Sequence, residues 1–162
     1  VEEVMGLLEA VCISARKGEV KHPVTEIVLK AGWGIAGDAH AGERHRQVSL
    51  LPGESIDRMK KILPTIEQGA YAENMIIRGV DVMAVAVGDR IKVGEALLEI
   101  TQVGKECHRG CAIRKQTGDC IMPGEGLFAR VLYGGTARPG DAVEHLPAAE
   151  KIDQPGQESV SC

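Results

Sequence analysis

Twenty glycines punctuate the 162 residues, and the apolar runs between them are mostly about four to eight residues long, the length of strands rather than of helices. The clearest are VMGLLEAVCIS (4–14), TEIVLK (25–30), RQVSLL (46–51), ENMIIRG (73–79), RIKVG (90–94), ALLEITQVG (96–104) and GLFARVLYGG (126–135). A chain broken this often by turn residues folds as many short strands. In VGDRIKVGEALLEITQVG, Gly94-Glu95 separates two apolar runs as a two-residue hairpin turn does. GDRIKVG and RPGDAVEHL both place Gly-Asp ahead of a strand.

Only a few segments look helical, and one stands out. In ESIDRMKKIL (54–63), Ile56, Met59, Ile62 and Leu63 recur at intervals of three and four, Ser55 is placed to cap the start, and Pro64 stops the helix. The expected fold is mainly β (a β-rich α+β chain), an antiparallel β-barrel with a few short helices, because closure removes the edges that an open sheet would expose. The length suits one domain, expected over 1–146. PAAEKIDQPGQESVSC (147–162) is polar, carries two prolines and lacks periodicity, and reads as a flexible tail.

Charge and composition narrow the function. Nineteen Lys and Arg against 23 Asp and Glu give a net charge of −4, opposite to the basic excess of a general nucleic-acid binder. Trp33, Phe128, Tyr71 and Tyr133 are the only aromatics of the FWY class, too few for a base-stacking platform. No stretch approaches the roughly 18 apolar residues of a membrane span, and the opening VEEVMGLLEA is acidic where a signal peptide is basic. A cytoplasmic protein is expected, with neither nucleic acid nor membrane as partner. Thiols there stay reduced, so clustered cysteines point to metal or catalysis before disulfides.

Three of the five cysteines fall in GKECHRGCAIRKQTGDC (104–120). Cys107, His108, Cys111 and Cys120 match the ligand number of a structural zinc site. The spacing is poor, because the adjacent Cys107 and His108 would have to face one ion. The plainest alternative is a small buried hydrophobe, which suits Cys12 in its apolar run. Cys107 instead sits among Lys105, His108 and Arg109, with Arg114 and Lys115 nearby. Positive charge favours thiolate over thiol and lowers a Cys pKa, so Cys107 is a candidate nucleophile. Cys111, four residues on, shares its face in a helical turn and is placed to resolve a persulfide or disulfide. A solvated basic loop is the competing reading of the charges.

A second constellation is GWGIAGDAHAGERHRQVSLL (32–51), where Gly32, Gly34, Gly37 and Gly42 permit close backbone approach and Asp38, His40, Arg44, His45 and Arg46 supply polar groups. An anion site is one reading. The other is a glycine-rich connection in which Asp38 caps a turn and Arg46 lies along apolar surface. Dinucleotide and P-loop fingerprints are absent, as is GxSxG, and Ser14, Ser49 and Ser55 stand in plain strand or helix contexts. His22 and His145 read as surface residues. Glu73 opens an apolar strand, with no chemistry assigned to it.

GIAGDAH (34–40), HRQVSLLPGES (45–55), YAENMIIRGVD (71–81), VGDRIKVGEALLEITQVGKECH (87–108) and EGLFARVLYGGTARPGDAV (125–143) occur in that order. The series resembles the MOSC domain, the module named for the C-terminal part of molybdenum cofactor sulfurases, as a stand-alone copy spanning nearly all of 4–146. The resemblance implies a barrel-like fold and a role in sulfurating or binding molybdenum cofactor. In that family a cysteine after the strand corresponding to ALLEITQ is the proposed sulfur carrier or metal-facing thiol, here Cys107. The implied sulfur donor is a cysteine desulfurase, which carries the pyridoxal phosphate and is expected as a separate partner, and the acceptor is a molybdenum or tungsten enzyme or its cofactor. The activity implied is sulfurtransferase-like. Lys105, Arg109, Arg114, Arg44 and Arg46 are placed to neutralise the anionic pterin, with Asp38 and His40 beside them. The CxxxC pair with a third Cys is more thiol-rich than a one-cysteine carrier needs, which keeps a zinc or thiol-redox module as the alternative.

Overall fold

The computed structural model describes residues 5–17, 19–104 and 125–148. Among the described residues there are eleven strands: β1 (Met5–Ile13), β2 (His22–Val24), β3 (Ile27–Lys30), β4 (Gly34–Ile35), β5 (Val48–Pro52), β6 (Met75–Arg78), β7 (Arg90–Val93), β8 (Ala96–Val103), β9 (Leu127–Tyr133), β10 (Gly135–Ala137) and β11 (Ala142–Leu146). Between them lie the α-helix α1 (Gly53–Lys60) and a 3-10 turn at Val82–Ala84. The large sheet runs β11-β7-β8-β9-β5-β6-β1-β2, and β11 also pairs with β1, so seven strands close into a barrel. β3, β4 and β10 form a small second sheet.

Alternation along the strands builds the core. Val48 and Leu50 of β5, Met75 and Ile77 of β6, Ile91 and Val93 of β7, Leu98 and Ile100 of β8, and Leu127, Ala129 and Val131 of β9 join one buried cluster with Leu8, Val11 and Val143. The hairpin expected at Gly94-Glu95 is present, with Val93 opposite Ala96. Cys12 is fully buried, and desolvation, aided by the nearby Glu73 carboxyl and opposed by Lys21, pushes its thiol up to about 12. It is a packing residue.

The barrel is not wholly antiparallel. β5 and β6 run parallel, and a parallel neighbour needs a crossover that a hairpin cannot supply. Residues 53–74 make that crossover, and α1 lies in it. Its Ile56 and Met59 pack with Ala10, Leu51, Ile76 and Phe128 in a second cluster. The helix is shorter than expected, and Ile62, assigned to its apolar face, is exposed beyond its end. Ser55 is not its cap: Pro52 occupies that position, without a side-chain bond, and Ser55 is buried in the first turn. His145 is not a free surface residue either, since its Nε2 lies 2.7 Å from Asp89 Oδ2. Asp89 also accepts from the Ala148 amide. The remainder of the tail expected from 147 onward lies outside the described residues.

Closure of the barrel demands a missing side chain at Gly6. A Cβ there would sit 2.3 Å from the Arg78 carbonyl oxygen on β6 and 2.7 Å from Val80. Strand propensity alone favours valine at such a position, but the contact predicts the reverse. Gly6→Val is expected to lower stability by about 1–3 kcal/mol or more through overpacking, read as a fall in the urea midpoint without gain in secondary structure.

Candidate functional site

Residues that alternate away from the barrel core create a second, polar face. Ser49 of β5 stands opposite Phe128 of β9, and both point outward because their neighbours Val48, Leu50, Leu127 and Ala129 point in. By the same alternation Gln102 would follow Leu98 and Ile100 inward. A register shift between Ile100 and Gln102 reverses it and sets Gln102 opposite Phe128, as a bulge re-aims a side chain. The Gln102 Oε1 then accepts from Arg46 Nε at 2.9 Å and lies 2.9 Å from His45 Nε2, while its amide nitrogen donates to the Gly104 carbonyl. Thr101 Oγ1 bonds the His45 carbonyl. Arg46 is thereby laid over the Phe128 ring, its guanidinium carbon 5.0 Å from the centroid.

Arg46, His40, Ser49, Tyr71, Ala72, Asn74 and Phe128 line a cleft of about 60 Å³, room for about four waters or one tetrahedral anion. Its floor is fixed by reciprocal bonds. The Asn74 Oδ1 accepts from the Ser49 amide, its backbone N–H donates to Ser49 Oγ, and its side-chain amide donates to the Cys12 carbonyl. Ser49 Oγ also donates to the Ala72 carbonyl, which holds Ala72 at φ 63. Beneath lies Glu73, fully buried, accepting from the amides of Gly69 and Tyr71 at 2.7 and 2.9 Å. Burial raises its carboxyl pKa, with those amides and Lys21 opposing.

The wall behind His40 is ionic. Lys21 and Asp38 are both buried, with Nζ 2.8 Å from Oδ1 and neither side chain exposed. Lys21 Nζ also donates to Ser14 Oγ and lies 2.9 Å from His40 Nδ1. Asp38 accepts from the amides of Ser14 and His40. Burial alone would raise the Asp38 carboxyl, but the Lys21 bond and the two amides outweigh it and hold the pKa below the ordinary carboxylate value. His40 is held below its usual value by burial and then by Lys21, with Lys17 and Arg44 adding to the effect and Asp38 opposing it.

Of the expected residues, Asp38, His40 and Arg46 are brought together. Arg44 is exposed and folds back beside Gly42 rather than lining the cleft. The connection reading of residues 32–51 holds for Asp38, which caps a turn through the His40 amide and also neutralises a buried lysine. Lys105, Cys107, His108, Arg109, Cys111, Arg114 and Cys120 lie outside the described residues. Among the described residues, no group of three or more His, Cys, Asp or Glu side chains could hold a metal ion, and no helix is long and apolar enough to cross a membrane. Sequence reading missed Lys21, Asn74 and the linking roles of Ser14 and Ser49, which stand in no plain context. Lys21 carries no local signal, since GEVKHP reads as a solvated turn. Asn74 and Ser49 were visible only as members of longer runs.

The class is that of a small closed seven-stranded β-barrel whose outer face carries a cleft bordered by Arg46 and His40. The chain belongs to the MOSC domain family, whose profile matches residues 37–144. The uncharacterized protein YflK of Bacillus subtilis (strain 168) is 24% identical over 147 residues, 83% of this chain, and the aligned region spans 65% of that relative's length. The YUAD protein from Bacillus subtilis superposes with a TM-score of 0.73 at 19% identity, covering 90% of this chain and 98% of that one. YiiM from Geobacillus stearothermophilus gives 0.66 at 18% identity, over 87% of this chain and 75% of its own. At these identities the structural matches establish the shared fold.

Asp38→Asn leaves the Lys21 ammonium buried without its counter-charge and is expected to cost about 3–5 kcal/mol at neutral pH. The wild type should also lose stability in acid. Below the ordinary carboxylate pKa of about 3.9 the unfolded chain takes up a proton that native Asp38 still refuses, so stability falls as pH drops through the folded value. Urea midpoints from about pH 2.5 to 7 check both, because the asparagine variant should lack this acid-dependent component.

Proposed function

We propose that the chain is a sulfur-carrying or molybdenum-cofactor-binding module in which Cys107 is the working thiol. The observation that supports this reading is where its loop is rooted. β8 ends at Val103, the Gly104 amide donates to the Gly126 carbonyl at 2.7 Å, and Gln102, two residues back, holds Arg46 over the cleft. Cys107 is three residues beyond Gly104, and three residues of chain reach at most about 11 Å. That short tether to the strand whose Gln102 holds Arg46 supports the assignment of Cys107.

Family membership supports the same reading, since MOSC domains are associated with molybdenum cofactor. The residues present fit one part of that group. Arg46 and His40 border a cleft of phosphate size and would hold the cofactor's phosphate or another small anion; the cleft is too small to enclose a pterin ring. When bound, the cofactor supplies molybdenum and dithiolene sulfur. The chain's own contribution is to neutralise the anion with Arg46, whose guanidinium is seated over the Phe128 ring, and to present Cys107. Lys105, Arg109 and Arg114 would favour its thiolate, with Cys111 as the second thiol. The sulfur source is a pyridoxal-phosphate cysteine desulfurase, and the acceptor a molybdenum or tungsten enzyme or its cofactor. A zinc or thiol-redox module using Cys107, His108, Cys111 and Cys120 is the competing assignment, and zinc content of the purified protein separates the two.

With a cysteine desulfurase and ³⁵S-cysteine, wild type is expected to gain label and a mass increase of about 32 that dithiothreitol removes, as a sulfane sulfur should behave. Cys107→Ser should lose the label, and Cys111→Ser should retain loading but release sulfur more slowly. Equal labelling of wild type and Cys107→Ser sinks the assignment. Arg46→Ala is expected to lower affinity for a small anion such as phosphate about tenfold, the scale of one charge-assisted contact of about 1.5 kcal/mol, with little change in fold because its guanidinium is partly exposed.

A further inference from the structure

We infer that buried Lys21 fixes the tautomer of His40, keeping Nδ1 as an acceptor so that the ring offers the cleft a neutral Nε2–H donor for an anionic sulfur or oxygen. The inference deepens the cleft reading above and rests on it for the kind of ligand. The tautomer itself follows from counting protons.

An ammonium has three hydrogens and no acceptor. Lys21 Nζ has three neighbours: Asp38 Oδ1 at 2.8 Å, His40 Nδ1 at 2.9 Å and Ser14 Oγ at 3.3 Å. Ser14 spends its own hydrogen on the Arg16 carbonyl, so towards Lys21 it accepts. Asp38 accepts by necessity. The third ammonium hydrogen therefore points to His40 Nδ1, which must carry a lone pair, and a neutral imidazole with a bare Nδ1 carries its proton on Nε2. Nor can Asp38 claim Nδ1, because its nearer oxygen, Oδ2, lies 3.8 Å away, too far for a hydrogen bond.

A second proton on the ring would set an imidazolium N–H against an ammonium at 2.9 Å in a buried wall. The charged groups around the ring are mostly positive: Lys21 from the segment before β2, Lys17 from the segment after β1, and Arg44 from its own loop, with Asp38 as the carboxylate among them. Arg46 stands on the cleft wall. His40 thus stays neutral where an exposed histidine would charge, which agrees with the depressed pKa described above. Among the described residues, Nε2 has no protein partner, and the ring borders the cleft.

The chemical consequence is a division of labour. Arg46 supplies charge, while His40 supplies direction and, with Nε2 already protonated, cannot remove a proton from the incoming group. The cleft accordingly takes ligands that arrive deprotonated: a thiolate or persulfide sulfur, or a phosphate-type oxygen. Lys21 is a positioning residue, acting only through the ring.

The test is long-range ¹H–¹⁵N correlation spectroscopy on the full chain with ¹⁵N-labelled histidine, between about pH 5.5 and 8, with His40 assigned by its loss in His40→Phe. Wild type is expected to show the Nε2–H pattern in its neutral form, with any titration midpoint below the ordinary 6.5. An Nδ1–H pattern, or a midpoint at or above 6.5, overturns the inference. In Lys21→Met the ring should become a tautomer mixture and titrate closer to 6.5; an unchanged spectrum in that folded variant also overturns it. Should Lys21→Met fail to fold, the wild-type spectrum decides alone. Thiosulfate and inorganic phosphate are then added separately. A shift of the Nε2 resonance with thiosulfate alone assigns sulfur as the accepting atom, a shift with both assigns anionic oxygen, and a shift with neither removes the ligand role and overturns the inference. His40→Phe should weaken the responding anion at least tenfold. Failure of Cys107 to load sulfur alongside an intact Nε2–H signal would sink the carrier reading and leave this one standing.

Discussion

β1 is held on three sides, by β6, β2 and β11, and the pairing with β11 turns an open sheet into a barrel. Every inward side chain then has a facing partner, and the fold needs no second layer over most of its circumference. Closure also fixes the ends of the barrel, so that the segments leaving β1 and entering β5 and β6 share one end. The close passage of Gly6 against the Arg78 carbonyl shows how tightly that circuit is drawn. A looser seam would let β6 slide and with it Asn74, on which the cleft floor rests.

The functional face arises from two departures from regular strand pairing. The parallel β5–β6 pair forces a crossover, and the crossover brings α1, Tyr71, Ala72 and Glu73 across the outer surface. The register shift in β8 turns Gln102 outward to hold Arg46. An unbroken antiparallel meander would present this surface as ordinary alternating side chains, with no wall high enough to enclose an anion. Backbone irregularity is what distinguishes this end of the barrel from the rest.

Energetically the cleft rests on buried polar groups that satisfy one another. Lys21 and Asp38 could not remain inside singly, because one uncompensated buried charge outweighs what most packing changes can offset. Together with Ser14 and two amides they form a closed set in which each donor has an acceptor. Such a set does little to raise stability compared with apolar packing of the same volume, but it gives one orientation to His40. Asn74 and Ser49 do the same for the floor. Specificity of geometry, more than stability, is the physical return on burying these groups.

Glycine spacing and short apolar runs determined the strand-rich class, the Gly94-Glu95 hairpin and the burial of Cys12, because these depend on local periodicity and turn chemistry. The order of five motifs marked the family, and Asp38, His40 and Arg46 stood out as polar residues in a glycine-rich loop. Tertiary structure alone decided that Lys21 is an interior ammonium, that His145 pairs with Asp89, that Arg44 turns away, and that Ser49 and Asn74 form the cleft floor. The paired residues are remote in sequence: Lys21 and Asp38 are 17 apart, Ser49 and Asn74 25, Arg46 and Gln102 56. Local pattern reports which face of a strand a residue occupies, and only chain closure determines which distant charge it meets there.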